Sequence, residues 1–234
     1  TAPAPAPTPT PTPTPTPQPG AKVEIFTVGL LNPGRVFKAG DELTVQLQGT
    51  PGGQATATIS MQVVKDLPLA EVQAGVYQGK FTVPEGRTAI GALLTGNLIK
   101  EGKKARALVS ADRLSFDSEP PSVTGVSPED KSTVLNDSPG LEARYTDGEG
   151  SGVNLNTVKL TLDGKDVTRQ ANVNVGSVAY AAQGLKTGAH TAQVRLRDLA
   201  GNEVTRTWTF AVGQPVQTLI VSVTHDGQGV LPQG

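Results

Sequence analysis

The stretch "EVTRTWTFAVG" (203–213) alternates with a period of two: Val204, Arg206, Trp208, Phe210 and Val212 fall on one face, and Thr205, Thr207, Thr209 and Ala211 on the other. Successive side chains point to opposite sides only in an extended strand, so this pattern requires a ribbon with its Trp208 face on a core. The same period returns in "ELTVQLQG", where Leu43, Val45 and Leu47 oppose Thr44, Gln46 and Gln48. In the first half of the chain a helical three-four period does not persist over any ten residues. Turn chemistry separates the runs, as in "TPGG" (50–53), where proline presets φ and glycine accepts positive φ. With 27 glycines and 19 prolines in 234 residues, the composition favours many short strands over long helices.

Four segments follow. Residues 1–20 alternate Pro with Ala or Thr, which predicts a disordered or polyproline II linker at ~3.1 Å per residue. Residues 21–116 are expected to form one β-sandwich, with strands at "ELTVQLQG", "QATATISMQ", "GVYQGKFTV" and two more around the turn Lys100-Glu101-Gly102-Lys103. "DSEPPSVTGVSP" (117–128) is read as a boundary, because adjacent prolines cannot continue a ladder. Residues 117–213 are expected to form a second sandwich, with strands at 140–147, 156–164, 171–182, 188–198 and 203–213. Residues 214–234 are read as a linker plus the start of a third module. Aligned with 26–40, they match Val28 to Val223, Gly34 to Gly229, Val36 to Val230 and Gly40 to Gly234 with one inserted residue. The chain is thus expected to be part of a longer array.

The motifs "YTDGEGSGVNLNTVKLTLDGKDVT", "GLKTGAHTAQVRLRDLAGNEVTRTWTFAVG" and "PPSVTGVSP" resemble those of bacterial immunoglobulin-like domains, which occur in tandem in cell-surface and secreted proteins. The resemblance covers residues 118–213. It implies an all-β fold of tandem antiparallel Ig-like β-sandwiches and an extracellular or cell-surface location. It assigns no activity, because such modules serve as stalks, adhesin segments and accessories of exported hydrolases. The chain has no cysteine, so the core cannot use the disulfide of antibody domains and rests on Trp208 and its aliphatic neighbours.

Bulk properties narrow the partners. The formal net charge is −1 and the basic residues are scattered along the sequence, so no field would gather nucleic acid. Without cysteine there is neither thiolate chemistry nor a cysteine-ligated metal. No run of about 18 apolar residues is present to span a bilayer. A protein or a cell-wall or surface polymer remains as partner, met by a monomeric segment of a longer chain.

The candidate site residues lie in the acidic, glycine-rich stretches. Asp147 and Glu149 in "TDGEGSGV" and Asp198 and Asn202 in "RDLAGNEV" fall in turns expected at one end of the second sandwich. Asp and Asn at such positions accept hydrogen bonds from turn amides, which needs no ligand and is the favoured reading. The rival is Ca²⁺, which takes six to eight oxygen ligands from such groups; the spacing does not follow the EF-hand loop. No catalytic set is expected. His190 lies in a strand, to be satisfied by neighbours, and His225 lies in the start of the third module. Ser115, Ser118, Ser122 and Ser127 lack a nucleophile elbow. Asp163 and Asp166 flank Gly164-Lys165 and read as a hairpin turn, and one Trp, three Tyr and five Phe leave little for a sugar platform. The expected function is a non-catalytic stalk, spacer or adhesion segment of an exported bacterial surface protein. The alternative is a non-catalytic accessory of a secreted hydrolase acting on polysaccharide or cell wall.

Overall fold

The computed structural model describes residues 22–34 and 36–214, so the linker (1–20), the third-module segment and His225 lie outside the described residues. The regular elements of the described chain are all strands apart from one short 3₁₀ turn. It divides into two units, Thr1–Glu119 and Pro120–Gly234.

The first unit contains β1 (Ile25–Leu30), β2 (Val36–Phe37), β3 (Glu42–Gly49), β4 (Gln54–Ile59), β5 (Val64–Gln73), β6 (Val76–Thr82), β7 (Thr88–Lys100), β8 (Lys103–Lys104) and β9 (Leu108–Asp117). Hydrogen bonding links them in the order β1-β3-β6-β5-β4-β7-β9-β2, with β8 on β7. The inward faces are those the alternation dictates: Leu43, Val45 and Leu47 on β3, and Ala55, Ala57 and Ile59 on β4, are buried with Tyr77, Leu94 and Leu98. Phe37 and Phe116 pack at 5.8 Å between ring centroids, where β2 runs parallel to β9.

Sequence patterning misses β5. Most of it is exposed, and Pro68 in its middle argues against a strand. The backbone explains the exception. Residues 64–69 pair only with β4 and residues 70–73 only with β6, so β5 crosses from one layer to the other. At the crossing Pro68 has a ladder on one side alone, an edge position at which proline is tolerated.

The second unit contains β10 (Ser122–Ser127), β11 (Ser132–Val134), β12 (Gly140–Thr146), β13 (Val153–Leu162), β14 (Lys165–Asp166), the 3₁₀ turn Thr168–Gln170, β15 (Asn172–Val173), β16 (Ser177–Ala181), β17 (Gly188–Asp198) and β18 (Glu203–Val212). They form a four-stranded sheet, β10-β12-β16-β15, and a five-stranded sheet, β11-β18-β17-β13-β14. The core joins Leu141, Ala143 and Tyr145 of the first to Leu160, Val194, Leu196, Trp208 and Phe210 of the second. Trp208 is fully buried, as its place in the alternation requires. Arg206 shares that parity yet is exposed and lies 3.7 Å from Asp130.

Two local expectations change. Most of "PSVTGVS", read as boundary, is strand β10: Pro120 and Pro121 precede it, where a missing donor is tolerated. The single strand expected over 171–182 is a hairpin, β15 and β16 with Val173 opposite Val178. The Asn174 amide donates to the Ser177 carbonyl (2.8 Å) across a turn containing Gly176. An Asn and a Gly two residues apart are turn signals that the surrounding valines mask.

Candidate functional site

The two acidic loops of the second unit lie side by side, because Val153 at the start of β13 pairs with Asp198 at the end of β17. The Leu199 amide donates to the Gly152 carbonyl (2.9 Å) and the Ala200 amide to Ser151 Oγ (3.2 Å), lacing the loops together. Asp198 is buried; its Oδ1 accepts from the amides of Gly201 (2.6 Å) and Asn202 (2.9 Å), and its Oδ2 from Asn202 Nδ2 (2.7 Å). Asp147 Oδ2 accepts the Gly152 amide at 2.6 Å. Carboxylate oxygens of Asp147 and Asp198 lie within 4.8 Å of one another. Asn202 turns its amide nitrogen, not its oxygen, toward Asp198, and Glu149 is exposed. Of the four sequence candidates, Asp147, Asp198 and Asn202 are thus brought to adjoining loops, and Glu149 faces solvent.

His190, on β17, stacks on Phe210 at 5.5 Å between centroids. Its Nδ1 lies 2.7 Å from Asp163 Oδ2 and its Nε2 2.7 Å from the Lys186 carbonyl. Both partners only accept, so both ring nitrogens are satisfied together only in the imidazolium form. The Asp163 hydrogen bond raises the imidazole above its usual value, against the opposing effect of burial. Burial pushes Asp163 up, but hydrogen bonds from His190 and the Thr191 amide outweigh it and hold the carboxyl below the usual value. Asp163 (φ 50°) and Gly164 (φ 78°) form the hairpin between β13 and β14, the double positive φ of a type I′ turn. Tyr145 sits deeper: burial pushes its phenol up to about 12, and the hydroxyl lies 2.7 Å from the Asn174 carbonyl and 2.9 Å from that of Ser177.

The serines do not converge on a base. Ser115 lies within β9, Ser118 Oγ donates to the Pro84 carbonyl (3.2 Å), and Ser122 and Ser127 end β10.

A feature that sequence reading misses lies on the outer face of the five-stranded sheet. Between Asn154 and Lys159, β13 takes five residue steps while β17 takes two, from Arg197 to Arg195. The extra residues form a bulge held by Thr157, whose Oγ1 accepts the Arg197 amide (2.9 Å) and donates to the Asn154 carbonyl (2.7 Å). Bulges re-aim the side chains around them, and this one walls a cleft of about 710 Å³ lined by Lys159, Arg169, Arg195 and Arg197 with Asp166 and Glu203. Lys159 bridges Asp166 at 3.3 Å and Arg197 bridges Glu203 at 2.8 Å. "QVRLRD" shows Arg195 and Arg197 on the outward face, but their meeting with Lys159 depends on a register that no local pattern encodes.

No protein-family model matches the chain, and no curated protein matches it. Among solved structures, a three-Ig fragment of titin, an E-to-A mutated variant, is similar at 14% identity and TM-score 0.55, over 83% of this chain and 68% of that one. An I-band fragment of titin is similar at 12% identity and TM-score 0.51, over 80% of this chain and 66% of that one. A dimeric latent PorU from Porphyromonas gingivalis matches at 16% identity and TM-score 0.35; this chain covers 84% of itself but about a quarter of PorU, 24%. The titin matches show that the fold is immunoglobulin-like.

Proposed function

We infer that the chain is a non-catalytic structural or adhesion segment, a stalk or spacer of an exported bacterial surface protein located outside the cell. The observation that carries this reading is that the polar residues most suggestive of chemistry are engaged by neighbouring groups of the fold. Asp198 is held by three donors of its turn, and His190 by Asp163 and a backbone carbonyl. Groups fixed in this way hold turns and strand ends together. Two β-sandwiches, each with its own core, suit modules that set distance along a chain rather than a cleft that closes on substrate. Its partner, in this reading, is a protein or a surface polymer.

The test is to replace residues 120–213 of the parent protein with an unrelated sandwich of equal length. The spacer reading predicts that flanking domains stay displayed and work at unchanged reach. Loss of a polysaccharide-degrading activity with the exchange would instead favour an accessory segment of a secreted hydrolase.

One observation favours a second reading, in which calcium stiffens the second unit: two carboxylates within 4.8 Å of each other repel unless a positive charge lies close by. Fluorescence of Trp208, the single tryptophan, reports unfolding of that unit. If calcium binds only the folded state, millimolar calcium raises the midpoint relative to chelator and Asp147→Ala abolishes the rise. An unchanged midpoint leaves the loops as turns.

A further inference from the structure

We propose that the bulge-walled cleft on the second unit is a binding surface for an anionic polysaccharide, a glycan bearing carboxylate or sulfate groups. The proposal rests on the non-catalytic reading above and deepens it by naming the partner's chemistry and where it docks.

Three observations carry it. First, Lys159 stands directly opposite Arg195 on the neighbouring strand. Like charges in that position destabilise a sheet, and the Lys159–Asp166 bridge offsets the charge of only one of the two. Second, the cleft holds four cations against two carboxylates. The carboxylates pair with Lys159 and Arg197, and among the described residues Arg169 and Arg195 have no carboxylate partner. Guanidinium groups present planar donor forks matched to carboxylate and sulfate oxygens, and they lose less to desolvation than ammonium does. Third, the remaining lining is hydroxyl and amide, from Asn156, Thr157, Thr168 and Gln170, with Val158 as the one apolar residue. Such groups match sugar hydroxyls. An acidic peptide would gain little for its side chains, because the cleft offers them no apolar pocket.

The 234-residue chain is tested by affinity electrophoresis through gels containing polygalacturonate, heparin or neutral dextran, with polyglutamate and single-stranded DNA as polyanion controls in solution. The expected result is retardation by the two anionic glycans and not by dextran, reversed at ~0.5 M NaCl. Arg195→Glu should weaken retardation by at least about tenfold, since it replaces an attraction with a repulsion at the same place. Arg206→Glu, which removes a cation outside the cleft, should leave it unchanged. The fold is checked by the Trp208 unfolding midpoint, which should not fall in Arg195→Glu, since that change sets opposite charges across the pair with Lys159. Absence of retardation, equal loss in the two variants, or equally tight binding of polyglutamate or DNA would overturn the proposal. Any of these would leave the spacer reading standing, because its test is the module exchange.

Discussion

At the scale of single residues, His190 carries the clearest consequence. Its two hydrogen-bond partners accept only, and its folded-state value lies above the ordinary imidazole value. A group raised in the folded state contributes stability that is fully present below its unfolded value, about 6.5, and lost as pH rises through the folded value. Asp163 is lowered, so its contribution is present above the unfolded carboxyl value, about 3.9, and lost as pH falls through the folded value. The second unit should therefore be most stable between those two unfolded values. Urea unfolding followed by Trp208 fluorescence checks this: the midpoint falls on the alkaline side in the native chain, and that slope flattens in His190→Gln. The sequence made the satisfaction of His190 legible, since a lone histidine within a strand has few other fates. Its partner Asp163 was legible only as a turn residue, because β17 and the β13–β14 hairpin meet through sheet register.

At the scale of elements, alternation locates β3, β12, β17 and β18, whose buried faces match their patterns. It fails at β5, whose core contacts Val64, Leu67 and Leu69 do not keep a period of two, and at the β13 bulge, where three-dimensional pairing rather than composition decides the step. The β5 crossing depends on close backbone approach. A Cβ at Gly79 would lie 2.6 Å from the Pro68 carbonyl oxygen and 2.6 Å from Leu69 Cδ2. Because one of these is backbone, relief requires moving the crossing itself. Gly79→Ala is thus expected to cost the first unit about 1–3 kcal/mol. Circular dichroism should show the loss as a lower melting temperature for part of the signal, while the Trp208 transition of the second unit stays in place.

At the scale of the whole molecule, composition foretold an all-β chain, and the acidic glycine-rich stretches indicated loops. Neither showed that Lys159, Arg169, Arg195 and Arg197 gather on one face. A net charge of −1 averages that cluster away, and scattered positions in sequence are no guide to neighbours in a folded sheet. In the spacer reading proposed above, the two separately cored sandwiches resist extension as independent units. The most direct measurement stretches the chain between its ends in a single-molecule force experiment. The account predicts two discrete unfolding events, each releasing roughly 30 nm of chain at ~3.4 Å per residue, with Gly79→Ala lowering the force of one and leaving the other unchanged. A single event releasing the whole length, or extension without discrete resistance, would contradict it.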